Sequence, residues 1–237
     1  MQDITKNLDK LDWHHIEEQM HESGYAHVPR FISGGQSDQL VNMYDQSHLY
    51  RKTIAMERYR FGLGEYRYFT YPLPEVIDTL RKGMYPGLSR IANRWMEALK
   101  STDRFPDTME ELQELCRLKG QTKATPLVLK YGEKGHNTLH QDLYGEIFFP
   151  IQAVLFLSEP DEDFEGGEFV MTEQRPRAQS KVIVRRPRKG DLMVFTTHSR
   201  PVLGNRGYYR VNMKHGVSEV LSGQRYTLGI IFHDAKN

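Results

Sequence analysis

Three residues, His140-Gln141-Asp142, carry the most chemistry in this chain. Side chains two positions apart on a strand point to the same face. A strand through this segment would therefore project one imidazole and one carboxylate together, which is two ligands for a divalent metal. A second imidazole would complete a two-histidine, one-carboxylate set. Such a set occupies one face of an octahedral iron(II) and leaves the opposite face open to small molecules. His198, His215 and His233 lie downstream as candidates for that third ligand. Taken alone, His-x-Asp fits a turn histidine beside a solvated carboxylate equally well.

A second signal lies near the end of the chain. Arg225 opens the apolar run Arg225-Tyr226-Thr227-Leu228-Gly229-Ile230-Ile231-Phe232. An arginine inside an apolar strand is costly to bury unless an anion pairs with it. Guanidinium matches a carboxylate with two parallel hydrogen bonds and stays charged at any relevant pH. A dicarboxylate that chelates a metal at one end would need such a cation at the other. Thr227 would face the same way and offer a hydroxyl. An edge-strand arginine paired with an acidic neighbour is the plainer alternative.

The ordered set Tyr131, His140-x-Asp142, Glu165-Gly166-Gly167-Glu168, Lys189-Gly190-Asp191, His215-Gly216-Val217 and Arg225-Tyr226-Thr227-Leu228 resembles the 2-oxoglutarate-dependent oxygenases of the prolyl 4-hydroxylase type. The resemblance covers about the last half of the chain. It implies a double-stranded β-helix (jelly-roll) core and an Fe(II) held by His140, Asp142 and His215. It further implies 2-oxoglutarate bridged to Arg225, with Tyr131 and Thr227 beside the co-substrate and ascorbate as a reductant. In the family spacing His198 falls too far from Arg225, and His233 lies beyond it. Halogenating relatives give up the carboxylate ligand, so Asp142 favours hydroxylation.

The substrate implied by the likeness is an amino acid, a peptide or a protein. Oxidative demethylation of nucleic acid is an alternative, against which stands the lack of a second arginine closely following Arg225. Nucleic acid is accordingly not the expected partner. A non-catalytic jelly-roll binding module is the third reading, and the intact ligand set argues against it.

The elements that must position these groups change character midway. Up to about Thr125 the pattern is mostly helical: Leu8–Ser23 stopped by Gly24, Ser37–Leu49, Pro74–Leu99 and Met109–Leu118, with one strand at Tyr25–Phe31. The aromatic stretch Tyr59–Pro74 reads as a loop or hairpin that could cover a site. From Pro126 onward short strands are expected at Pro126–Tyr131, Ile151–Leu157, Gly167–Met171, Lys181–Val184, Asp191–Phe195, Val211–Val217 and Gln224–Phe232. Many short strands in succession favour a sandwich or barrel. The expectation is a mainly β fold with flanking helices, one oxygenase domain over 1–237, in which 1–125 supplies helical support and a lid and 126–237 the jelly-roll core.

Composition narrows the setting. The 237 residues carry a formal net charge of +1, which suggests neither a nucleic-acid nor a membrane partner from overall charge. A single cysteine, Cys116, excludes an internal disulfide. Without a signal-like N-terminus or a membrane-length apolar run, a cytoplasmic enzyme is expected. The basic run Arg185–Lys189 reads as a solvated loop, Glu165–Glu168 as a glycine-relieved turn, and Lys189-Gly190-Asp191 as a hairpin turn.

Overall fold

The computed structural model describes residues 2–236. Five helices, α1 (Gln2–Asp9), α2 (Trp13–Ser23), α3 (Gly34–Asn42), α4 (Glu75–Ala98) and α5 (Met109–Leu118), all fall in the first half. The strands of that half are β1 (Tyr25–Val28), β2 (Tyr50–Ala55), β3 (Gly62–Leu63) and β4 (Glu65–Phe69). Then follow β5 (Leu127–Tyr131), β6 (His136–His140), β7 (Ile151–Phe156), β8 (Phe164–Gly166), β9 (Phe169–Gln174) and β10 (Lys181–Arg185). The last are β11 (Leu192–Thr196), β12 (Ser199–Gly204), β13 (Gly207–Val217), β14 (Val220–Gly223) and β15 (Arg225–Ile230).

Two antiparallel sheets form a jelly roll. The larger runs β1-β11-β7-β15-β5-β4-β2, and the smaller runs β10-β9-β13-β6-β3 with β12 added on β13. Strand alternation assigns each residue of the larger sheet to one of two interiors. On β7, Ile151, Ala153 and Leu155 join the cluster formed with the helices, which includes Met84, Leu88 and Trp95 of α4. Val154 and Phe156 face the smaller sheet and pack with Phe169, Met171 and Met213. A sheet buried on both faces explains why β7 and β11 read as nearly continuous apolar runs, broken only by Gln152 and Thr196.

The first half does more than support. Besides the expected β1, it supplies β2 and β4 to the larger sheet and β3 to the smaller. The stretch expected to be a cover is β4, which pairs along β5 with Tyr66 opposite Leu129 and Tyr68 opposite Leu127. Its aromatic alternation serves a strand face. The helix expected over Leu8–Ser23 is two helices, because Asp12 caps α2 by accepting the His15 N–H at 3.0 Å. Gly24 ends α2 in the left-handed conformation, as expected. The helix expected over Ser37–Leu49 starts earlier and ends at Asn42, fixed by a Ser33–Gln36 capping box. Lys189-Gly190-Asp191 is not a hairpin turn, since β10 and β11 lie in different sheets. Among the described residues no helix is long and apolar enough to cross a membrane.

The helical layer is tied to the end of the chain by Arg81. This α4 residue is fully buried. It donates to the carbonyls of Ile231 (3.0 Å) and Phe232 (2.6 Å) and to the Asp234 carboxylate (2.7 Å). Removing one partner of a buried ion pair strands the other charge, at about 3–5 kcal/mol. Arg81→Ala is thus expected to lower the unfolding free energy by roughly that amount in urea denaturation. A change within about 0.5 kcal/mol, the usual range for surface substitutions, would remove Arg81 from this role.

Candidate metal and co-substrate site

Antiparallel pairing builds the centre. In the β6–β13 ladder His215 stands directly opposite His140. The two rings lie side by side, with centroids 4.3 Å apart. Asp142 is not on the same strand as His140, contrary to the expected alternation: β6 ends at His140. The carboxylate instead comes back from the following loop. Asp142 Oδ1 lies 3.7 Å from His140 Nε2, and Oδ2 lies 3.5 Å from His215 Nε2. One ligand atom from each of the three falls within 4.8 Å of the others, in the one such group among the described residues.

Neighbouring groups fix the donor atoms. The Thr138 carbonyl is 2.7 Å from His140 Nδ1. A carbonyl can only accept, so Nδ1 carries the proton and the Nε2 lone pair faces Asp142. Burial, reinforced by the neighbouring His215, lowers the His140 pKa and favours this neutral form. For Asp142 burial alone would raise the pKa. The two neighbouring histidines and the Gln152 amide outweigh it and hold the carboxyl below its ordinary range. Gln152 Nε2 donates to Asp142 Oδ2 at 2.8 Å. The loop itself is pinned by Gln141, whose amide donates to the carbonyls of His198 (2.9 Å) and Met213 (2.7 Å).

Arg225 sits beside this cluster on β15, between β5 and β7, only 2% exposed. The edge-strand alternative therefore does not hold. No carboxylate of the described residues lies within 4.0 Å of it, and its Nη1 is buried without a hydrogen-bond partner. Burial lowers its pKa to about 10, so it remains charged at neutral pH. Room for it comes from the Glu165–Glu168 turn. A Cβ on Gly167, where φ is +59°, would approach Arg225 Cδ to 2.9 Å. Tyr131 is the cross-strand partner of Arg225. Its hydroxyl accepts from Asn137 Nδ2 at 3.3 Å, and burial raises its pKa to about 12. Thr227 is buried two positions along the same face.

His140, Asp142, His215, Tyr131, Arg225 and Thr227 all line one cavity of ≈ 400 Å³ between the two sheets. All six residues singled out from the sequence thus meet. The remaining histidines do not join them. His198 is half-buried near Phe148. His233 is fully buried, its Nδ1 accepting from the Phe149 N–H, and burial lowers its pKa to about 4. The basic run also stands apart from this cavity: Arg185 bonds Tyr25, and Arg186, Arg188 and Lys189 pair with Asp161, Glu159 and Asp38.

Sequence reasoning missed Gln152, although it is the lone polar residue of the run Ile151-Gln152-Ala153-Val154-Leu155-Phe156. It also missed Tyr144 as a cavity wall and left Tyr66 and Tyr68 undecided; all three line the cavity.

The donor set fits iron(II): two imidazoles and one carboxylate whose donor atoms converge. The stranded guanidinium fits a carboxylate of a co-substrate at the same cavity.

Residues 64–235 match a family described as an oxygenase catalysing oxidative methylation of damaged DNA. The chain is also similar to an uncharacterised protein found in two strains of Mycobacterium tuberculosis, 46% identical over 190 residues, covering 78% of this chain and 81% of that protein. Among solved structures it resembles a Trichoplax adhaerens prolyl hydroxylase in complex with a hypoxia inducible factor peptide (TM-score 0.60, 17% identity, 97% of this chain and 91% of that one). A Pseudomonas putida prolyl-4-hydroxylase is similar as well (TM-score 0.55, 12% identity, 94% and 100%). With a family match across most of its length and the fold of these enzymes, the chain belongs to the 2-oxoglutarate- and iron(II)-dependent oxygenases.

Proposed function

We propose that His140, Asp142 and His215 hold the iron, that Arg225 anchors 2-oxoglutarate, and that the centre hydroxylates a substrate C–H bond. The observation that carries this reading is the buried, unpartnered Arg225 guanidinium in the same cavity as the three-ligand cluster. When bound, iron and 2-oxoglutarate would couple decarboxylation to succinate and carbon dioxide with oxidation of the substrate by dioxygen.

The chain's own residues then have distinct tasks. Gln152 keeps the Asp142 carboxylate turned toward the two imidazoles. Arg225 receives the far carboxylate of the co-substrate, helped by the Thr227 hydroxyl, while the Tyr131 phenol stays protonated and able to donate. Between them they set the co-substrate's direction in the cavity. The apolar walls, including Leu129, Val154 and Phe195, exclude water from the reacting groups.

For the substrate, the likeness to prolyl hydroxylases suggests an amino acid, peptide or protein, but a shared fold does not choose among substrates. Two observations favour the nucleic-acid alternative. The matched family is described by action on damaged DNA. The cavity is also walled by Phe61, Tyr66, Tyr68 and Tyr144, with Tyr66 and Tyr68 edge to face at 5.3 Å. Flat aromatic faces suit an unstacked base. Hydroxylation of an N-methyl group gives N–CH2OH, which breaks down to N–H and formaldehyde.

Two measurements follow. Arg225→Ala is expected to raise the 2-oxoglutarate KM about 10- to 100-fold, the equivalent of losing a charge-assisted hydrogen bond of ~1.5–3 kcal/mol, with iron affinity unchanged. An unaltered KM would place the anchor elsewhere. Incubating the iron-loaded enzyme with N-methylated oligonucleotides and, separately, with proline-containing peptides tests the substrate. Formaldehyde released in step with succinate from the oligonucleotide supports the nucleic-acid reading, whereas peptide hydroxylation without it would replace that reading.

A further inference from the structure

Away from the ligand set, cations gather on Arg51-Lys52-Thr53-Ile54-Ala55-Met56-Glu57-Arg58-Tyr59-Arg60-Phe61. Four cations stand here against one carboxylate, in a chain whose formal net charge is only +1. Among the described residues, no carboxylate lies within 4.0 Å of Arg51, Lys52, Arg58 or Arg60. The Arg185–Lys189 run, by contrast, has most of its charge paired.

Two aromatic side chains are interleaved with these cations. Tyr59 and Phe61 are 53% and 45% exposed, and their rings stack at 5.5 Å with planes 18° apart. Exposing two stacked rings to water is unfavourable unless something covers them. Both line a hollow of ≈ 380 Å³ that also takes in Arg51, Lys52, Tyr66, Tyr68 and Tyr144. Phe61, Tyr66, Tyr68 and Tyr144 wall the iron-side cavity as well, so the two spaces adjoin.

The segment is fixed to the ligand strand. The Phe61 carbonyl accepts from the Thr138 backbone N–H and from its hydroxyl, both at 2.9 Å, two residues before His140. Gly62 and Leu63 then pair with Asn137 and His136. A Cβ on Gly62, where φ is +138°, would come within 2.2 Å of the His136 carbonyl oxygen, so β3 reaches β6 this closely only with glycine. The exposed rings are thereby held at the entrance to the site.

We propose that this ridge binds a single strand of nucleic acid: Tyr59 and Phe61 stack on a base beside the one being oxidised, and the exposed Lys52, Arg58 and Arg60 contact its phosphates, while Arg51 is held inward by the Ala124 carbonyl at 2.9 Å and over the Tyr68 ring. Alternating cations with stacking rings is how proteins hold single strands without reading sequence. The inference rests on the nucleic-acid reading above and deepens it, since it makes the substrate a strand rather than a free nucleoside.

The test is fluorescence anisotropy of a short labelled single-stranded oligodeoxynucleotide with the full chain and with two variants. Tyr59→Ala is expected to weaken binding about tenfold, as for loss of one stacked base. Lys52→Glu with Arg58→Glu is expected to weaken it further. It should also flatten the dependence of log affinity on log salt by about 0.7 or more for each cation lost. Melting temperature and 2-oxoglutarate affinity should stay as in the unmodified chain, because these side chains are exposed. Variants that bind the strand as the parent does would overturn the proposal. So would an acidic peptide that competes equally well and is lost in the same variants, which would make the ridge a general anion surface. If the parent oxidises a free N-methylated nucleoside but binds no strand, the ridge proposal fails while the substrate reading stands. Failure of both overturns both.

Discussion

A guanidinium buried to 2% exposure with no counter-charge is the feature around which the rest of the site is arranged. Taking a charge out of water costs several kcal/mol unless it is paired. Among the described residues no carboxylate lies within 4.0 Å of Arg225, yet its place on the strand between β5 and β7 is fixed by ladders on both sides. On the proposed reading its counter-charge comes from a molecule that enters the cavity. The cluster of His140, Asp142 and His215 lines the same cavity, and the proposal gives that molecule a metal at its other end. The two requirements together describe a small chelating dicarboxylate, and each group on its own is unstable in a way the other explains.

The jelly roll makes this pairing possible by separating the two ends. Arg225, Thr227 and Tyr131 lie on the larger sheet, while His140 and His215 face each other on the smaller. The cavity is the gap between the sheets. Alternation along β15 gives Leu228 and Ile230 to the helical interior and leaves Arg225 and Thr227 for the cavity. Arg81 holds the chain just beyond β15 against α4, so the helical layer steadies the strand that carries the anchor.

Much of this was legible from residue types. His-x-Asp, a later histidine and an arginine inside an apolar strand each allow a plainer reading alone; their order in the chain points to a shared site, and the structure brings them to one cavity. The helices at 75–98 and 109–118 were readable from apolar spacing, because one face of each is buried in the shared core. Three things were not legible. The ligand pair does not share a strand: β6 stops at His140, and the loop that returns Asp142 is set by Gln141 reaching carbonyls that are distant in sequence. Tyr66 and Tyr68 fit a covering loop and a packed strand equally well in the sequence, because their strand partner, β5, lies some 60 positions away. The ridge at 51–61 carries no motif, and only the three-dimensional arrangement shows that Lys52, Arg58 and Arg60 have no carboxylate of the described residues within 4.0 Å.

The account stands on one iron and one 2-oxoglutarate occupying this cavity together. Anaerobic titration of the chain with iron(II) and 2-oxoglutarate, followed by the visible charge-transfer absorption of the chelate, measures that directly. One band saturating at one iron and one 2-oxoglutarate per chain, and lost in His215→Leu, is the predicted result. No band in the unmodified chain, or a band that survives loss of His215, would contradict the central claim.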